Sequence, residues 1–130
     1  MNTIGIDIGT TSICGIIADA DTGEIKKVEN RANNSFIKTE NSWEKIQDVK
    51  IITDTVFEVL DSLFDFDNDI VSIGISNQMH GIVYLDENAE PVSPLYIWQD
   101  ERGNLPYKDG KSYAEYLGSF AGYGLVTDFY

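Results

Sequence analysis

The chain has 130 residues, and its 22 acidic side chains outnumber the 9 basic ones to give a formal net charge of −13. Such a charge repels phosphate backbones and anionic lipid headgroups, which excludes a general nucleic-acid binder or membrane-surface binder. With 42% hydrophobic residues, a chain of this length can bury the core of one ordinary domain. Residues 51–101 contain eleven acids and no Lys or Arg, so main-chain N–H groups, a metal ion or another part of the protein must hold any phosphorylated ligand.

The single cysteine, Cys14, lies within an apolar run. A lone thiol forms no disulfide within the chain and fits a reducing cytosol. The N-terminus lacks the basic segment of a secretory signal, and no apolar stretch approaches the ~20 residues that a membrane span needs. We therefore expect a cytoplasmic domain without a membrane partner.

The first third of the chain predicts three strands joined by short turns. Residues 3–8 alternate in polarity and run into a turn-prone cluster, after which residues 13–18 form a second apolar run. A turn at residues 21–23 precedes a third strand at residues 24–29, which has one polar face. Such short connections favour an antiparallel meander.

A helix is predicted to begin near Asn41, because Glu44 follows three residues later in the pattern of a capping box. Apolar residues then recur at helical spacing, at Ile46, Val49, Ile52, Val56, Leu60 and Leu63. Another face carries a row of acids, at Asp54, Glu58, Asp61 and Asp65. We interpret this row as a solvated face, because residues spaced regularly along a long helix do not converge on one ion.

Residues 67–69 end the helix, and residues 70–76 form an almost continuous apolar strand, typical of a sheet covered on both faces. A helix between two strands makes this strand parallel to an earlier one. Residues 82–92 predict a surface hairpin, and residues 111–120 predict a last short helix. The order of elements is typical of the opening of a ribonuclease-H-like α/β domain, the architecture that actin-like ATPases share with sugar kinases.

The first candidate site follows the first strand, where Asp7 precedes Gly9, Thr10, Thr11 and Ser12. A carboxylate at the end of a strand can hold Mg²⁺ directly or through water. The N–H and hydroxyl groups of such a turn can bind a terminal phosphate, and a glycine lets the backbone approach it closely. On these residues alone, a plain hairpin turn capped by an Asp is an equally good interpretation.

Two further polar segments, residues 77–81 and 98–102, are candidates for binding a carbohydrate. The first follows the buried strand, where open α/β sheets bind ligands, and its His80 can hydrogen-bond a sugar hydroxyl. In the second, the indole of Trp98 can pack on the C–H face of a sugar ring. Taken singly, the segments favour plainer interpretations, namely a packed core histidine and a Trp that anchors a loop beside a surface ion pair of Arg102.

Taken together, in this order and at these separations, the motifs resemble the N-terminal lobe of the FGGY carbohydrate kinases. Residues 4–12 are similar to the family's first phosphate motif, and residues 98–102 to its Trp-Gln/Asn-Asp-X-Arg motif. Residues 75–81 resemble the Gln-Met-His-Gly segment of the xylulokinase and sedoheptulokinase branches, whereas the glycerol kinase branch carries Arg-Glu after the Gln. The end of the chain is closer to sedoheptulokinase-like sequences, through Gly122, Tyr123, Gly124, Thr127, Phe129 and Tyr130.

The resemblance implies an ATP-dependent kinase that uses Mg²⁺ to phosphorylate a ketose, of the xylulose or sedoheptulose type, or a polyol. It implies that Asp7 is catalytic and holds the metal, and that the phosphates lie among Gly9, Thr10, Thr11 and Ser12. The implied sugar-binding residues are Gln78, Met79, His80, Trp98 and Asp100. Cys14 stands where relatives often carry Lys or Arg, so one stabiliser of phosphate charge is absent from this copy.

The resemblance also implies that residues 1–130 are a single, incomplete N-terminal lobe. The general-base Asp and the adenine site would belong to a C-terminal lobe of the same parent chain, and the isolated piece would be inactive. The abrupt apolar ending also leaves self-association as a homo-oligomer open. The interpretation requires the Asp7 hairpin and the His80 loop to border one cleft.

Two other interpretations compete with a sugar kinase. A nucleotide-dependent module of the chaperone or actin-like ATPase class shares the Asp7 hairpin but has no use for residues 78–81 and 98–102. A non-catalytic, sugar-sensing fragment is suggested by Cys14 and by the missing second lobe.

Overall fold

The computed structural model describes residues 1–121, which belong to two compact units. The first unit comprises Met1–Ser35 and Asp48–Met79, and the second comprises Phe36–Gln47 and the chain from His80 onward. The prediction of one lobe over residues 1–130 stays a prediction. The tail motif at Gly122, Tyr123, Gly124, Thr127, Phe129 and Tyr130 lies outside the described residues.

Strands and helices follow one another in a mixed order along the described chain. They are β1 (Asn2–Ile8), β2 (Ser12–Asp19), β3 (Ile25–Ala32), β4 (Ile46–Gln47), α1 (Val49–Phe66), β5 (Ile70–Asn77), β6 (Leu95–Tyr96) and α2 (Tyr113–Ala121), with a short 3₁₀ helix at Arg102–Asn104. Within residues 1–121, no helix is long and apolar enough to cross a membrane.

A mixed four-stranded sheet in the order β3-β2-β1-β5 forms the first unit. The pairs β1–β2 and β2–β3 are antiparallel, and β5 lies parallel to β1. The predicted meander and the predicted parallel strand are therefore confirmed.

Helix α1 begins later than predicted, because Asp48 and not Asn41 caps it. The Asp48 side chain accepts hydrogen bonds from the N–H groups of Lys50 and Ile51, at 2.8 and 3.2 Å. Glu44 instead closes a turn, where its N–H donates to the Asn41 carbonyl at 3.2 Å. The capping-box prediction is wrong because residues 36–47 belong to the second unit, and Ile46–Gln47 form β4 rather than part of a helix.

The core of the first unit lies between α1 and the sheet. Helix residues Ile52, Val59 and Leu63 are buried, and the sheet contributes buried Ile4, Ile6, Ile13 and Ile17. The predicted apolar face included Val56 and Leu60, which are only half-buried, and missed Val59. The acidic row is exposed, as predicted, at Asp54, Glu58, Asp61 and Asp65.

Strand β5 differs from its prediction, because its apolar side chains are exposed rather than buried on both faces. Val71, Ile73 and Ile75 are 53%, 46% and 67% exposed. The physical reason is that α1 packs on β1, β2 and β3, whereas β5 lies at the edge of the sheet beyond them. An apolar sequence shows that a strand can be covered, but it does not show what covers it.

The second unit is held by short pairings rather than by a broad sheet. Strand β4 pairs antiparallel with β6, and Ile46 lies opposite Tyr96. The predicted hairpin is confirmed at Leu85–Pro91, which form an antiparallel bridge. The predicted last helix is confirmed as α2, near the stacked rings of Tyr107 and Tyr113, whose centroids lie 4.4 Å apart.

Replacing Gly15 tests how closely α1 packs on β2. A Cβ at Gly15 would lie 2.5 Å from Val59 Cγ1 and 2.8 Å from Leu63 Cδ1. We expect Gly15→Ala to lower the free energy of unfolding by about 1–3 kcal/mol, because overpacking forces neighbours off their rotamers. The measurement is urea denaturation followed by circular dichroism.

The matched control is Gly74→Ala, since a Cβ there would meet no atom closer than the Ile4 carbonyl oxygen at 4.0 Å. Equal losses of stability in the two variants would contradict the close packing of α1 on β2.

Candidate functional site

Asp7 lies at the carboxyl end of β1, beside Ser76 on the parallel neighbour β5. The Ser76 hydroxyl donates to Asp7 Oδ1 at 2.6 Å, and both side chains are exposed. Because parallel strands end at the same sheet edge, this pairing puts a carboxylate and a hydroxyl where α/β sheets bind ligands. The hydroxyl restricts the rotation of the carboxylate and leaves its other oxygen toward solvent.

The turn from Gly9 to Ser12 is tight and is tied to the end of β5. The Gly9 N–H donates to the Ser12 carbonyl at 2.9 Å, and a Cβ at Gly9 would lie 2.8 Å from that oxygen. The Thr10 hydroxyl donates to Gln78 Oε1 at 2.9 Å, while the Gln78 N–H donates to the Ile8 carbonyl at 2.9 Å. Gln78 therefore braces the turn that was predicted to hold phosphates.

A shallow cavity of about 420 Å³ opens on the sheet beside Asp7. Gly5 and Gly74 lie opposite each other in its floor, and Cys14 is the β2 partner of Asp7. Cys14 is half-buried and is a free thiol. The cavity thus offers one carboxylate and the half-buried thiol of Cys14, but no cationic side chain among its lining residues.

The residues around Asp7 fit a metal ion carried by a ligand better than a resident one. In the described part of the chain, no three His, Cys, Asp or Glu side chains cluster as a metal centre would require. Mg²⁺ commonly keeps several waters and takes one or two carboxylates together with substrate phosphates. An exposed carboxylate such as Asp7 suits that arrangement.

In the second unit, His80 adopts a left-handed backbone conformation with φ of 57°. Residues other than glycine rarely adopt this conformation, and it often marks a functional site. Two hydrogen bonds between Ile82 and Tyr96, both of 2.9 Å, hold the chain that follows His80 against β6. A Cβ at Gly81 would lie 3.0 Å from Leu95 Cδ1, so a larger residue there would push against the Leu95 side chain.

Asp100 is 5% exposed and its carboxylate is saturated by hydrogen bonds. Arg102 donates to it from Nε at 2.6 Å and from Nη2 at 3.0 Å. The main-chain N–H of Arg102 donates at 3.1 Å and that of Lys45 at 2.9 Å. Burial alone raises the pKa of Asp100, but these hydrogen bonds outweigh burial and hold the pKa below its usual value.

Arg102 is the centre of a cluster of charged and aromatic groups. Its guanidinium lies 4.2 Å from the ring centroid of Tyr96 and 3.4 Å from a Glu44 carboxylate oxygen. The hydrogen bond to Asp100 is the main cause that raises the pKa of Arg102. The sequence-based alternative of an Arg102 pair with a neighbouring acid is thus confirmed, although Asp100 is buried.

A second cavity, also of about 420 Å³, lies within the second unit. His80, Asp100 and Arg102 line it, and its remaining wall is mostly aromatic and aliphatic, including Tyr84, Tyr96, Ile82 and Leu117. Small-molecule sites commonly combine apolar walls with a few polar groups. Trp98, which is 45% exposed, is not one of the residues that line this cavity.

The structure thus groups the predicted site residues into two sets. Asp7, Gly9, Thr10, Thr11, Ser12 and Gln78 lie together in the first unit, which also contains the exposed Met79, whereas His80 and Asp100 line one cavity of the second. The roles of these residues, and the single cleft of the Asp7 hairpin and the His80 loop, stay predictions.

The sequence analysis missed three residues that position these sets, namely Ser76, Asn33 and Tyr96. The predicted parallel pairing could have shown Ser76, since it is the register partner of Asp7. The Asn33 side chain donates to the Gly9 carbonyl at 2.9 Å. No local pattern marks Asn33 or Tyr96, because their partners are distant in the sequence.

Comparison with known proteins places residues 2–108 in one family model, the N-terminal domain of the FGGY family of carbohydrate kinases. A xylulose kinase from Staphylococcus xylosus is 28% identical over 110 residues, which are 83% of this chain and 22% of that protein. A glycerol kinase from Corynebacterium kroppenstedtii is 34% identical over 103 residues, which are 76% of this chain and 20% of that protein. The chain therefore spans about a fifth of the length of the relatives it matches.

Solved structures agree on the fold. The crystal structure of a xylulose kinase from Lactobacillus acidophilus matches with a TM-score of 0.72 and 24% identity, covering 93% of this chain and 22% of that one. The predicted ribonuclease-H-like, actin-like ATPase fold is confirmed by this match and by the mixed sheet.

The pH dependence of stability tests the Asp100 network. Because folding lowers the pKa of Asp100, its stabilising contribution is complete above the unfolded-state pKa of about 3.9 and disappears as the pH falls through the folded-state pKa. We expect Asp100→Asn to lower the melting temperature at pH 7 and to differ progressively less from wild type below pH 4. Thermal denaturation between pH 7 and pH 3 measures this.

Glu101→Gln is the matched control, because Glu101 is the adjacent carboxylate and is exposed. A difference between Asp100→Asn and wild type that stays constant from pH 7 to pH 3 would show that ionisation of Asp100 does not stabilise the fold.

Proposed function

Because the chain belongs to the FGGY family of carbohydrate kinases, we propose that the whole protein transfers the γ-phosphoryl group of ATP to a hydroxyl of a ketose or polyol. The observation that carries this proposal is the braced turn after Asp7, which lies inside the segment that the family model matches. This chain supplies the N-terminal part, and by itself it is inactive. Its partner is a C-terminal lobe of the same protein, and its location is cytoplasmic.

In this proposal, the first unit receives the phosphate end of the nucleotide. Asp7 would hold Mg²⁺, and phosphate oxygens would accept hydrogen bonds from the N–H groups of Thr10, Thr11 and Ser12 and from the hydroxyls of Thr11 and Ser12. Gly9, whose own N–H is bonded to the Ser12 carbonyl, would let the phosphate approach the backbone closely. Mg²⁺, when bound, neutralises charge that develops on the transferred phosphoryl group. This role is important here, because the cavity beside Asp7 contains Cys14 and no cationic side chain.

The second unit contributes to sugar binding. His80 hydrogen-bonds a hydroxyl, and the aromatic wall that includes Tyr96 packs on the C–H face of the sugar. Asp100 acts mainly by holding Arg102, since its oxygens already accept four hydrogen bonds. Gln78, Met79 and Trp98 complete the proposed sugar-binding set.

Transfer proceeds by attack of a substrate hydroxyl oxygen on the γ-phosphorus, and the bond from that phosphorus to the ADP oxygen breaks. The hydroxyl proton passes to the general-base Asp that the family resemblance assigns to the C-terminal lobe. The residues of this chain act by positioning the reactants and by stabilising charge, which dominate phosphoryl transfer. Ketoses of the xylulose or sedoheptulose type are the substrates that the Gln78–Gly81 segment favours.

An ADP-release assay of the whole protein tests the proposed function. The panel contains xylulose, ribulose, sedoheptulose, glycerol and ribitol, each with ATP and Mg²⁺. We expect ADP release that depends on a ketose and stops when Mg²⁺ is chelated. ATP hydrolysis that no sugar changes would instead favour an ATPase module of the chaperone or actin-like class.

A substitution at His80 tests the sugar-binding role. Asn tolerates the left-handed backbone of His80, so His80→Asn removes the imidazole without adding strain. We expect the KM for the ketose to rise about tenfold, as for loss of one buried hydrogen bond, while the KM for ATP stays unchanged.

Asp109→Asn is the control, because Asp109 is exposed and has a similar φ of 55°. Equal kinetic constants in the His80 variant, the control and wild type would remove His80 from the sugar site.

A further inference from the structure

We propose that Asn33 is a positioning residue that presets the Gly9–Ser12 turn for phosphate, an inference that rests on the proposed kinase function. Asn33 directly follows β3, whose last residue, Ala32, pairs with Ser12 at the start of β2. The pairing of β3 with β2 therefore places the Asn33 side chain beside the Gly9–Ser12 turn, although Asn33 and the turn are distant in the sequence. The residue is 5% exposed.

Asn33 holds two carbonyl groups of the turn at once. Its main-chain N–H donates to the Thr11 carbonyl at 2.9 Å, and its side-chain Nδ2 donates to the Gly9 carbonyl at 2.9 Å. A polar side chain that is almost fully buried and bonded in this way strongly restricts the peptide groups it contacts, since breaking either bond leaves a buried group unsatisfied.

Because the peptide group is planar, these two hydrogen bonds also fix the direction in which two N–H groups of the turn point. In a planar trans peptide, the carbonyl of one residue and the N–H of the next point in opposite directions. Because the Gly9 and Thr11 carbonyls point toward Asn33, the N–H groups of Thr10 and Ser12 point away from it. Main-chain N–H groups that are fixed in direction within a turn can donate to a phosphate.

Ser35 fixes the orientation of the Asn33 amide. The Ser35 hydroxyl donates to Asn33 Oδ1 at 2.5 Å, and the Ser35 N–H donates to the same oxygen at 3.3 Å. A main-chain N–H can only donate, so the amide oxygen must face Ser35 and the amide nitrogen must face Gly9. Ser35 is fully buried, which protects this arrangement from water.

The test is the near-isosteric variant Asn33→Asp in the whole protein. The new carboxylate still accepts from Ser35, but it places an acceptor oxygen against the Gly9 carbonyl where a donor was. We expect kcat/KM for ATP to fall about ten- to hundredfold, as when a reacting group is misplaced. The dissociation constant of the ketose, measured by calorimetry without nucleotide, should change less than about twofold, because the sugar residues are not touched.

Asn34→Asp is the matched control, since it adds the same charge one residue away on an exposed asparagine, and we expect it to match wild type. Ser35→Ala is a second, milder variant that removes one of the two bonds orienting the amide. It should lower kcat/KM for ATP less than Asn33→Asp does, and it decides the question if Asn33→Asp does not fold. Unchanged ATP kinetics in the folded variants would overturn the proposal.

Hydrogen–deuterium exchange separates this inference from the proposed function. If wild type releases no ADP with any sugar, the kinase proposal fails. The positioning role of Asn33 is still tested, because the exchange rate of the peptide that contains Gly9–Ser12 can be measured without activity. Faster exchange of that peptide in Asn33→Asp, at an unchanged melting temperature, would support the positioning role. Equal exchange in wild type and Asn33→Asp would overturn it.

Discussion

Parallel hydrogen bonding between β1 and β5 is the constraint on which the first unit's candidate site depends. It aligns Asp7 with Ser76 and brings Gln78 to the carboxyl end of β1. The chain between these strands includes two antiparallel strands and helix α1, and their packing keeps the two strand ends in register. A slip of one residue along β5 would turn Ser76 to the other face of the sheet and remove its hydrogen bond to Asp7.

Charge explains why the two units use different chemistry. In a chain with a net charge of −13, a cationic side chain has many acidic side chains with which it can form an ion pair. Arg102 forms ion pairs with Asp100 and Glu44 and packs on the ring of Tyr96. Its guanidinium therefore stabilises the second unit rather than binding an anionic ligand. The turn after Asp7 relies instead on main-chain N–H groups and hydroxyls.

Local patterns predicted the strands better than the helix boundary. Alternating polarity and turn residues act over a few positions, so β1, β2 and β3 were found at nearly their observed positions. The start of α1 was wrong because Asn41 and Asp48 are both good caps by local chemistry. The pairing of Ile46 with Tyr96 decides between them, since a residue held in β4 cannot also form the first turns of a helix.

By itself, the sequence determined the antiparallel meander of β1, β2 and β3, the parallel sense of β5 relative to an earlier strand and the motifs that resemble a sugar kinase, because each follows from local patterns and from the length and type of the connections. Only the tertiary structure showed how those motifs are held. Ser76 reaches Asp7 across 69 positions, Lys45 reaches Asp100 across 55, and Asn33 reaches Gly9 across 24. Hydrogen bonds over such separations depend on how the elements pack, and no pattern of neighbouring residues encodes them.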